Sequence, residues 1–185
     1  MHTPALARDR ISQQEYLEME LASPVKHEYI AGQIYAMTGT SDAHNFISLN
    51  LASILRNHLK GTPCRVFMSD VKVKLDLADS FYYPDVMVSC EPAPNSYYRE
   101  RPCLVVEVLS SSTAKFDAGE KRLDYQSLPS LQEYALVSQE CMDVRVWRRE
   151  ESGWAVTIYT DGTTIPFTSV NLAIPIEQIY EEVWV

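Results

Sequence analysis

The sequence contains little glycine and no long run of apolar residues. Six glycines among 185 residues exclude a collagenous or low-complexity chain. No apolar stretch approaches the roughly 18 residues that a membrane-spanning helix needs, and residues 1–10 lack the apolar segment and cleavage site of a secretory signal. We therefore expect a cytoplasmic protein with no membrane association. The length predicts one domain over residues 1–185, with residues 1–10 flexible.

Cationic side chains are also scarce. The chain has 16 Lys and Arg residues against 25 Asp and Glu residues, which gives a formal net charge of −9. This balance argues against a protein that binds nucleic acid through its overall charge. It leaves open an enzyme that binds nucleic acid in a local basic groove, or one that binds phosphate groups through a metal ion.

The cysteines and histidines show no metal-binding pattern. The four cysteines form no CxxC pair and the four histidines form no HExxH motif, which excludes zinc sites of those types. We expect the cysteines to be reduced and mostly buried thiols rather than parts of a disulfide framework. They are Cys64, Cys90, Cys103 and Cys141.

The spacing of apolar residues predicts a mixed sheet flanked by helices. Helical spacing covers residues 11–21, the segment from Ser41 or Asp42 to Gly61, and residues 115–126. Strand patterns cover residues 26–30, 33–37, 65–77, 83–90, 103–109, 131–137, 142–148 and 154–160, with a loop over 91–102 and a short helix or docked extension over 176–185. This order favours an α/β or α+β fold over a barrel of βα repeats.

Glu107 interrupts the most apolar strand. It lies within CLVVEVL, residues 103–109, a pattern typical of a central strand that is buried on both faces. A carboxylate in that position is strongly unfavourable unless it is paired or bound to a metal. Glu107 is therefore either half of a structural ion pair or a metal ligand at the end of a sheet.

Asp85 is a second carboxylate at the edge of an apolar strand. It follows Pro84 and opens the segment PDVMVSC, so Asp85 and Glu107 can lie on neighbouring strands. Two carboxylates whose metal takes its remaining ligands from water suit Mg²⁺ or Mn²⁺ better than zinc. Such a cation lowers the pKa of a bound water and stabilises charge on a phosphodiester. A Pro-Asp pair before a strand is also common as a simple turn.

A lysine is the third group that such chemistry needs. The position two residues after Glu107 is Leu109, so the same strand supplies none. The following helix carries Asp117 and Lys121 one turn apart, with Tyr125 on the same face. Without further context, this spacing is typical of a solvated surface pair worth about 0.3–0.5 kcal/mol.

Taken together, these segments resemble a large bacterial family described as putative restriction endonucleases, within the PD-(D/E)XK nuclease superfamily. The resemblance covers nearly the whole chain and depends on several segments in the family's order rather than on any one of them. They are KHEYIAGQIYAMTG, SDAHNFISLNLASIL, VKVKL, PDVMV, LVVEVLSSST, FDAGEKRLDYQSL and LQEYALV.

The resemblance implies a restriction-endonuclease-like fold and Mg²⁺-dependent hydrolysis of DNA, with Mn²⁺ able to replace Mg²⁺. Asp85 and Glu107 correspond to the two metal-binding carboxylates, and the main-chain carbonyl of Val108 to a further ligand. The superfamily also implies a homodimer, because two sites related by a two-fold axis can cut both strands of a duplex.

The catalytic lysine is displaced in this resemblance. Lys121 corresponds to a lysine on the helix after Glu107, and we prefer it to Lys115, which opposes the helix dipole at the helix start. Glu28 matches an acidic residue near the N-terminus that can join the site. His44 matches a histidine whose role is not assigned.

Two other functions stay open at the level of sequence. A nuclease scaffold can act as a non-catalytic DNA- or protein-binding or regulatory module, which the acidic composition favours, and an active enzyme can act on another phosphoester. Lys72 and Lys74 could steer DNA or simply protect an edge strand. The aromatic and basic residues around the predicted loop could stack bases or form a subunit contact. They are Tyr82, Tyr83, Tyr97, Tyr98, Arg99 and Arg101.

Overall fold

The computed structural model describes residues 10–92, 95–110 and 114–184. The segment predicted to be flexible, residues 1–10, lies outside these ranges except for Arg10, and stays a prediction. The helices are α1 (Gln13–Ala22), α2 (Asp42–His58), α3 (Ala114–Ala118), α4 (Glu120–Gln126) and α5 (Ile176–Ile179), with a 3₁₀ helix at Thr168–Val170. Within the described ranges, no helix combines the length and hydropathy needed to cross a membrane.

The strands fall into two larger sheets and one hairpin. They are β1 (His27–Ile30), β2 (Gln33–Ala36), β3 (Arg65–Met68), β4 (Lys72–Leu75), β5 (Ser80–Tyr82), β6 (Val86–Ser89), β7 (Tyr98–Arg99), β8 (Leu104–Leu109), β9 (Glu133–Ser138), β10 (Asp143–Glu150), β11 (Gly153–Thr160), β12 (Thr164–Phe167) and β13 (Leu172–Pro175). One sheet has the order β11-β10-β9-β8-β6-β3 and the other β2-β1-β5-β4-β7, while β12 pairs with β13. Only β8–β9 and β4–β7 are parallel among the described pairs. The predicted mixed sheet flanked by helices is confirmed.

Helix α2 covers one face of the six-stranded sheet. Ser41 begins it, since the Ser41 side chain accepts a hydrogen bond from the backbone N–H of His44 at 3.2 Å. The apolar spacing seen in the sequence gives one buried face, on which Ile47, Leu51 and Leu55 are fully buried. These side chains belong to the larger hydrophobic core, together with α5 and the β12–β13 hairpin.

The other face of the six-stranded sheet is where the candidate site lies. Successive residues of a strand point to opposite faces. Val106 and Val108 therefore pack in the core under α2, whereas Val105 packs with residues of α4, β4 and β5. Glu107 points to the same face as Val105, between the two sheets and below α4.

One predicted strand is divided between the two sheets. The segment 65–77 was expected to be continuous, but β3 ends at Met68 and β4 begins at Lys72. Strand β3 pairs with β6 and β4 pairs with β5, so the chain must turn between them. Ser69, with φ of 39°, and Asp70 form that turn.

Other predicted boundaries also shift. The helix predicted over 115–126 is two helices that break at Gly119. The strand predicted over 83–90 starts later, at Val86, and the predicted loop over 91–102 contains the short strand β7. The β12–β13 hairpin was not predicted, because its strands are short and carry no strong alternation.

The expectation that all cysteines are reduced is wrong. Cys64 and Cys90 form a disulfide, whereas Cys103 and Cys141 are free. The reason is the register of β3 and β6, in which Arg65 pairs with Ser89. In an antiparallel pair this register places the preceding Cys64 opposite the following Cys90, a proximity that sequence spacing does not reveal.

We expect reduction of the Cys64–Cys90 disulfide to lower the free energy of unfolding by about 2–4 kcal/mol, because the bond restricts the unfolded chain. Urea unfolding with and without a phosphine reductant measures the effect. Cys64→Ser should show the same loss and no further response to reductant, while Cys141→Ser should behave as wild type. Four reactive thiols in the denatured, unreduced protein would contradict the disulfide.

Candidate active site

The register of two strands brings Asp85 and Glu107 together. Strands β6 and β8 are antiparallel, and Val86 pairs with Val106. Asp85 immediately precedes β6, so it lies across from Glu107 and on the same face of the sheet. The predicted placement of the two carboxylates on neighbouring strands is confirmed.

Asp85 is held from two directions. Its Oδ2 atom accepts a hydrogen bond from the backbone N–H of Val108 at 2.7 Å. The Nε2 atom of His44 lies 3.2 Å from the same oxygen. Because Ser41 fixes the first turn of α2, that turn directs His44 at Asp85. Val108 thus contacts Asp85 through its amide, and its carbonyl as a metal ligand stays a prediction.

Lys121 connects the remaining carboxylates. Its Nζ atom lies 3.0 Å from Oε1 of Glu107, 3.0 Å from Oε1 of Glu28 and 3.6 Å from Oδ1 of Asp117. Lys121 and Asp117 are both buried, so the interpretation of this pair as solvated surface charges is wrong. Lys115, the rival lysine, is exposed. The structure therefore brings Lys121 to the acidic residues.

Glu28 reaches this cluster from the five-stranded sheet. Strand β1 pairs with β5, with Tyr29 opposite Phe81. The Oε1 atom of Glu28 accepts a hydrogen bond from the backbone N–H of Tyr83 at 3.2 Å, just beyond β5. The ring of Tyr82 lies 5.3 Å from Nζ of Lys121 and adds a cation–π contact. The site is therefore assembled from both sheets and α4.

The charges of the site are out of balance. Three carboxyl groups, those of Glu28, Glu107 and Asp117, lie within 3.6 Å of a single lysine ammonium, so ionised carboxylates would outnumber the cation. Burial raises the pKa of Glu107 well above its usual value, and Lys121 offsets only part of that shift. The neighbouring carboxylates, Asp85, Asp117 and Glu28, raise it further.

Lys121 stays charged in this environment. Burial acts to lower the pKa of Lys121, but Glu107 and Glu28 outweigh that effect and raise the pKa well above its usual value. A single ammonium cannot neutralise several carboxylates at once. A site of this composition favours the binding of an additional cation.

Glu107 and Glu133 differ in the groups that surround them. Glu133 is equally buried, at the start of β9. Its two oxygens accept hydrogen bonds from the backbone and hydroxyl groups of Thr168 and Ser169, and from Arg148. Oε1 of Glu107 is buried but accepts no hydrogen bond from the described residues. Glu133 was missed in the sequence because it follows Gln132 and so does not interrupt an apolar run.

The available ligands fit Mg²⁺ or Mn²⁺ better than a metal held by protein alone. Among the described residues, no three His, Cys, Asp or Glu side chains converge into a closed metal site. Mg²⁺ is usually held by one or two carboxylates and keeps several waters. The Asp85–Glu107 pair meets that requirement. The Oε1 atom of Glu107 accepts no hydrogen bond from the described residues, and it would exchange its ion pair with Lys121, at 3.0 Å, for a bound metal.

Two of the basic residues around the predicted loop, Lys74 and Arg101, are paired with carboxylates. Lys74 lies 2.8 Å from Asp76 and 3.5 Å from Glu100. Arg101 pairs with Glu91 at 2.5 Å. These contacts partly neutralise two cations for which a role in binding DNA had been left open.

We expect Glu107→Gln to stabilise the metal-free protein by about 1 kcal/mol, a rise of roughly 2–4 °C in Tm. The amide keeps the shape of the side chain and removes a buried charge that its neighbours repel, while Glu28 and Asp117 still pair with Lys121. Thermal unfolding in EDTA measures the change.

Glu133→Gln is the matched control, since it weakens a fully hydrogen-bonded buried carboxylate and should lower stability by about 3–5 kcal/mol. Equal losses in both variants would identify the Glu107–Lys121 pair as a structural ion pair.

Comparison with known proteins agrees with this geometry. The model of the Uma2 family, described as "Putative restriction endonuclease", matches residues 13–177. The uncharacterized protein slr1290 of Synechocystis is 36% identical over 182 residues, which cover 97% of this chain and 96% of that protein. The uncharacterized protein sll1609 of the same organism is 35% identical over 148 residues, which cover 77% of this chain and 84% of that protein.

A solved structure shows the same fold. The crystal structure of a putative nuclease belonging to DUF820 from Anabaena variabilis matches with a TM-score of 0.76 over 94% of this chain and 99% of that chain, at 18% identity. The mixed sheets flanked by helices are thus a restriction-endonuclease-like fold. With the family match over most of its length, the chain belongs to the Uma2 family of restriction-endonuclease-like proteins.

Proposed function

We propose that this protein is a divalent-metal-dependent endonuclease that hydrolyses phosphodiester bonds of DNA. Family and fold support a nuclease in general terms. The observation that carries the more specific proposal is the pair Asp85 and Glu107 on adjacent strands, with Lys121 beside it. This combination of two oxygen ligands and one ammonium matches the needs of phosphodiester hydrolysis.

Asp85 and Glu107 are the residues that would hold Mg²⁺, or Mn²⁺ in its place, with the carbonyl of Val108 as a further ligand. A bound cation supplies an activated water and stabilises the charge that develops on the phosphate. The Val108 N–H fixes the orientation of the Asp85 carboxylate. His44, in the first turn of α2, contacts the same oxygen and further limits its rotation. Asp85 is therefore oriented before a substrate arrives.

Lys121 would act on the attacking water or on the charge of the transition state. The neighbouring Glu107 and Glu28 raise the pKa of Lys121 above its usual value, which favours the charged form, and Glu28 contacts the ammonium from the second sheet at 3.0 Å. An ammonium placed in advance can stabilise developing negative charge without reorganisation. Glu28 belongs to the site as the residue that positions Lys121.

DNA is the proposed substrate, and the proposed active form is a homodimer that presents two sites to a duplex. The formal net charge of −9 opposes association with DNA. Divalent cations bound at the acidic site would offset that repulsion locally. The binding of DNA, like its cleavage, should therefore depend on the divalent metal.

A specific observation supports a second candidate, a nuclease scaffold that binds a protein or DNA without cutting it. Two of the cations considered as DNA contacts, Lys74 and Arg101, are paired with carboxylates. A surface neutralised in this way offers less to a phosphate backbone. Activity and metal binding separate the two candidates.

We expect the wild-type protein to nick and then linearise supercoiled plasmid in Mg²⁺ or Mn²⁺, and to do nothing in EDTA. Glu107→Gln, prepared identically, should lower the rate at least about 100-fold, because it removes a metal-binding oxygen. Agarose gel assays of both proteins measure the rates.

The stability expected for Glu107→Gln makes this control informative, because loss of cleavage then cannot come from unfolding. Equal cleavage by the variant would point to a contaminating nuclease or to a different site. Mn²⁺ binding without cleavage of duplex, single-stranded or branched DNA would favour the binding scaffold or another phosphoester.

We expect Lys121→Met to lose cleavage by about 100-fold or more while binding Mn²⁺ at least as tightly as wild type. The substitution removes the ammonium that competes with a metal for Glu107. Calorimetry and the plasmid assay separate the two effects. Lys115→Met, at an exposed position, is the control and should match wild type in both. Full cleavage by Lys121→Met would contradict the assigned role.

A further inference from the structure

Tyr125 is a buried residue of α4 that the proposed mechanism does not yet use. It lies one helical turn after Lys121 and is fully buried. Its ring packs between Tyr82 and Tyr134, each with a centroid distance of 5.5 Å. The two neighbours therefore fix the plane of the ring.

The hydroxyl group of Tyr125 differs from those of its neighbours. The Tyr82 hydroxyl donates to Oδ2 of Asp124 at 2.6 Å, and the Tyr134 hydroxyl donates to the carbonyl of Asp117 at 3.0 Å. The Tyr125 hydroxyl is buried and has no hydrogen-bond partner among the described residues. Such a group destabilises a fold, and phenylalanine would fill the same space without the penalty. Its presence points to a role other than stability.

Glu107 is the candidate acceptor, because Tyr125 belongs to the same buried cluster as Val105 and Leu136, and both of these residues share the face of the sheet from which Glu107 points. Its Oε1 is a buried acceptor without a hydrogen bond from the described residues, although Nζ of Lys121 lies 3.0 Å away as an ion-pair partner. Burial raises the pKa of Tyr125, and the nearby charge of Glu107 raises it further. The hydroxyl therefore keeps its proton and remains a donor.

We propose that Tyr125 is a positioning residue whose hydroxyl donates to Oε1 of Glu107 when a divalent cation binds beside it. In that state Glu107 shares its charge with the cation, and the Lys121 ammonium shifts toward Glu28 and Asp117 because like charges repel. Tyr125 then replaces Lys121 as the group that orients Glu107. Residues that orient a metal ligand commonly raise metal affinity. This inference depends on the proposed metal site.

The test compares Tyr125→Phe with Tyr180→Phe. Tyr180 is also buried, but its hydroxyl lies 2.8 Å from the carbonyl of Ser138 and outside the site. In EDTA, Tyr125→Phe should unfold at or above the Tm of wild type, whereas Tyr180→Phe should lose roughly 2–4 °C. By calorimetry, Tyr125→Phe should bind Mn²⁺ about tenfold more weakly, and Tyr180→Phe should bind it as wild type does.

Kinetics add a readout that a structural role would not change. Tyr125→Phe should lower kcat of plasmid cleavage about tenfold with little change in KM, because the misplaced carboxylate affects the reaction more than the binding of DNA. Tyr180→Phe should retain both constants.

Three results would overturn the inference. A Tm of Tyr125→Phe as low as that of Tyr180→Phe would show that the hydroxyl has a structural partner. Unchanged Mn²⁺ affinity would show that it does not orient Glu107. A wild-type protein that binds no Mn²⁺ would remove the site on which the inference depends. A wild-type protein that binds Mn²⁺ without cleaving DNA would refute only the proposed nuclease activity. The Mn²⁺ affinity of Tyr125→Phe, compared with wild type, would still decide the role of Tyr125.

Discussion

The structure depends on how one buried ammonium is shared among carboxylates. Lys121 lies within 3.0 Å of Glu28, from the five-stranded sheet, and of Glu107, from the six-stranded sheet. A buried lysine is tolerated only when such partners are in place. The contact therefore couples the approach of the two sheets to the position of α4. If either sheet moved away, the buried Lys121 would lose one of its carboxylate partners.

The same contact leaves the fold less stable than it could be. Glu133 shows how this chain satisfies a buried carboxylate fully, with hydroxyl, amide and guanidinium donors around it. Glu107 is buried to a similar extent but faces other carboxylates, and one of its oxygens accepts no hydrogen bond from the described residues. Two buried glutamates in neighbouring strands thus have different surroundings, and the one with fewer hydrogen-bond donors lies in the candidate site.

The sequence predicted the parts of the site that depend on local pattern. Glu107 stood out because it interrupts an apolar strand, and Asp85 because it opens the neighbouring one. The burial of Lys121 could not be predicted, since an Asp–Lys pair on a helix has the same spacing in solvent and in a core. Its partner Glu28 comes from a distant strand. The Cys64–Cys90 disulfide was missed for a similar reason, because it follows from the register of β3 and β6.

The position of the lysine on a helix rather than on the strand changes what the site can do. Leu109 follows Glu107 by two residues and packs in the core beside α4, so a lysine there would be fixed to the sheet. Lys121 instead lies on a short helix that begins after a break at Gly119, where a Cβ would stand only 3.0 Å from the carbonyl of Lys115. The glycine permits the close turn that directs Lys121 at Glu107. From α4 the Lys121 ammonium contacts Glu107 of one sheet and Glu28 of the other at the same time, each at 3.0 Å, which a lysine fixed to β8 would do less readily.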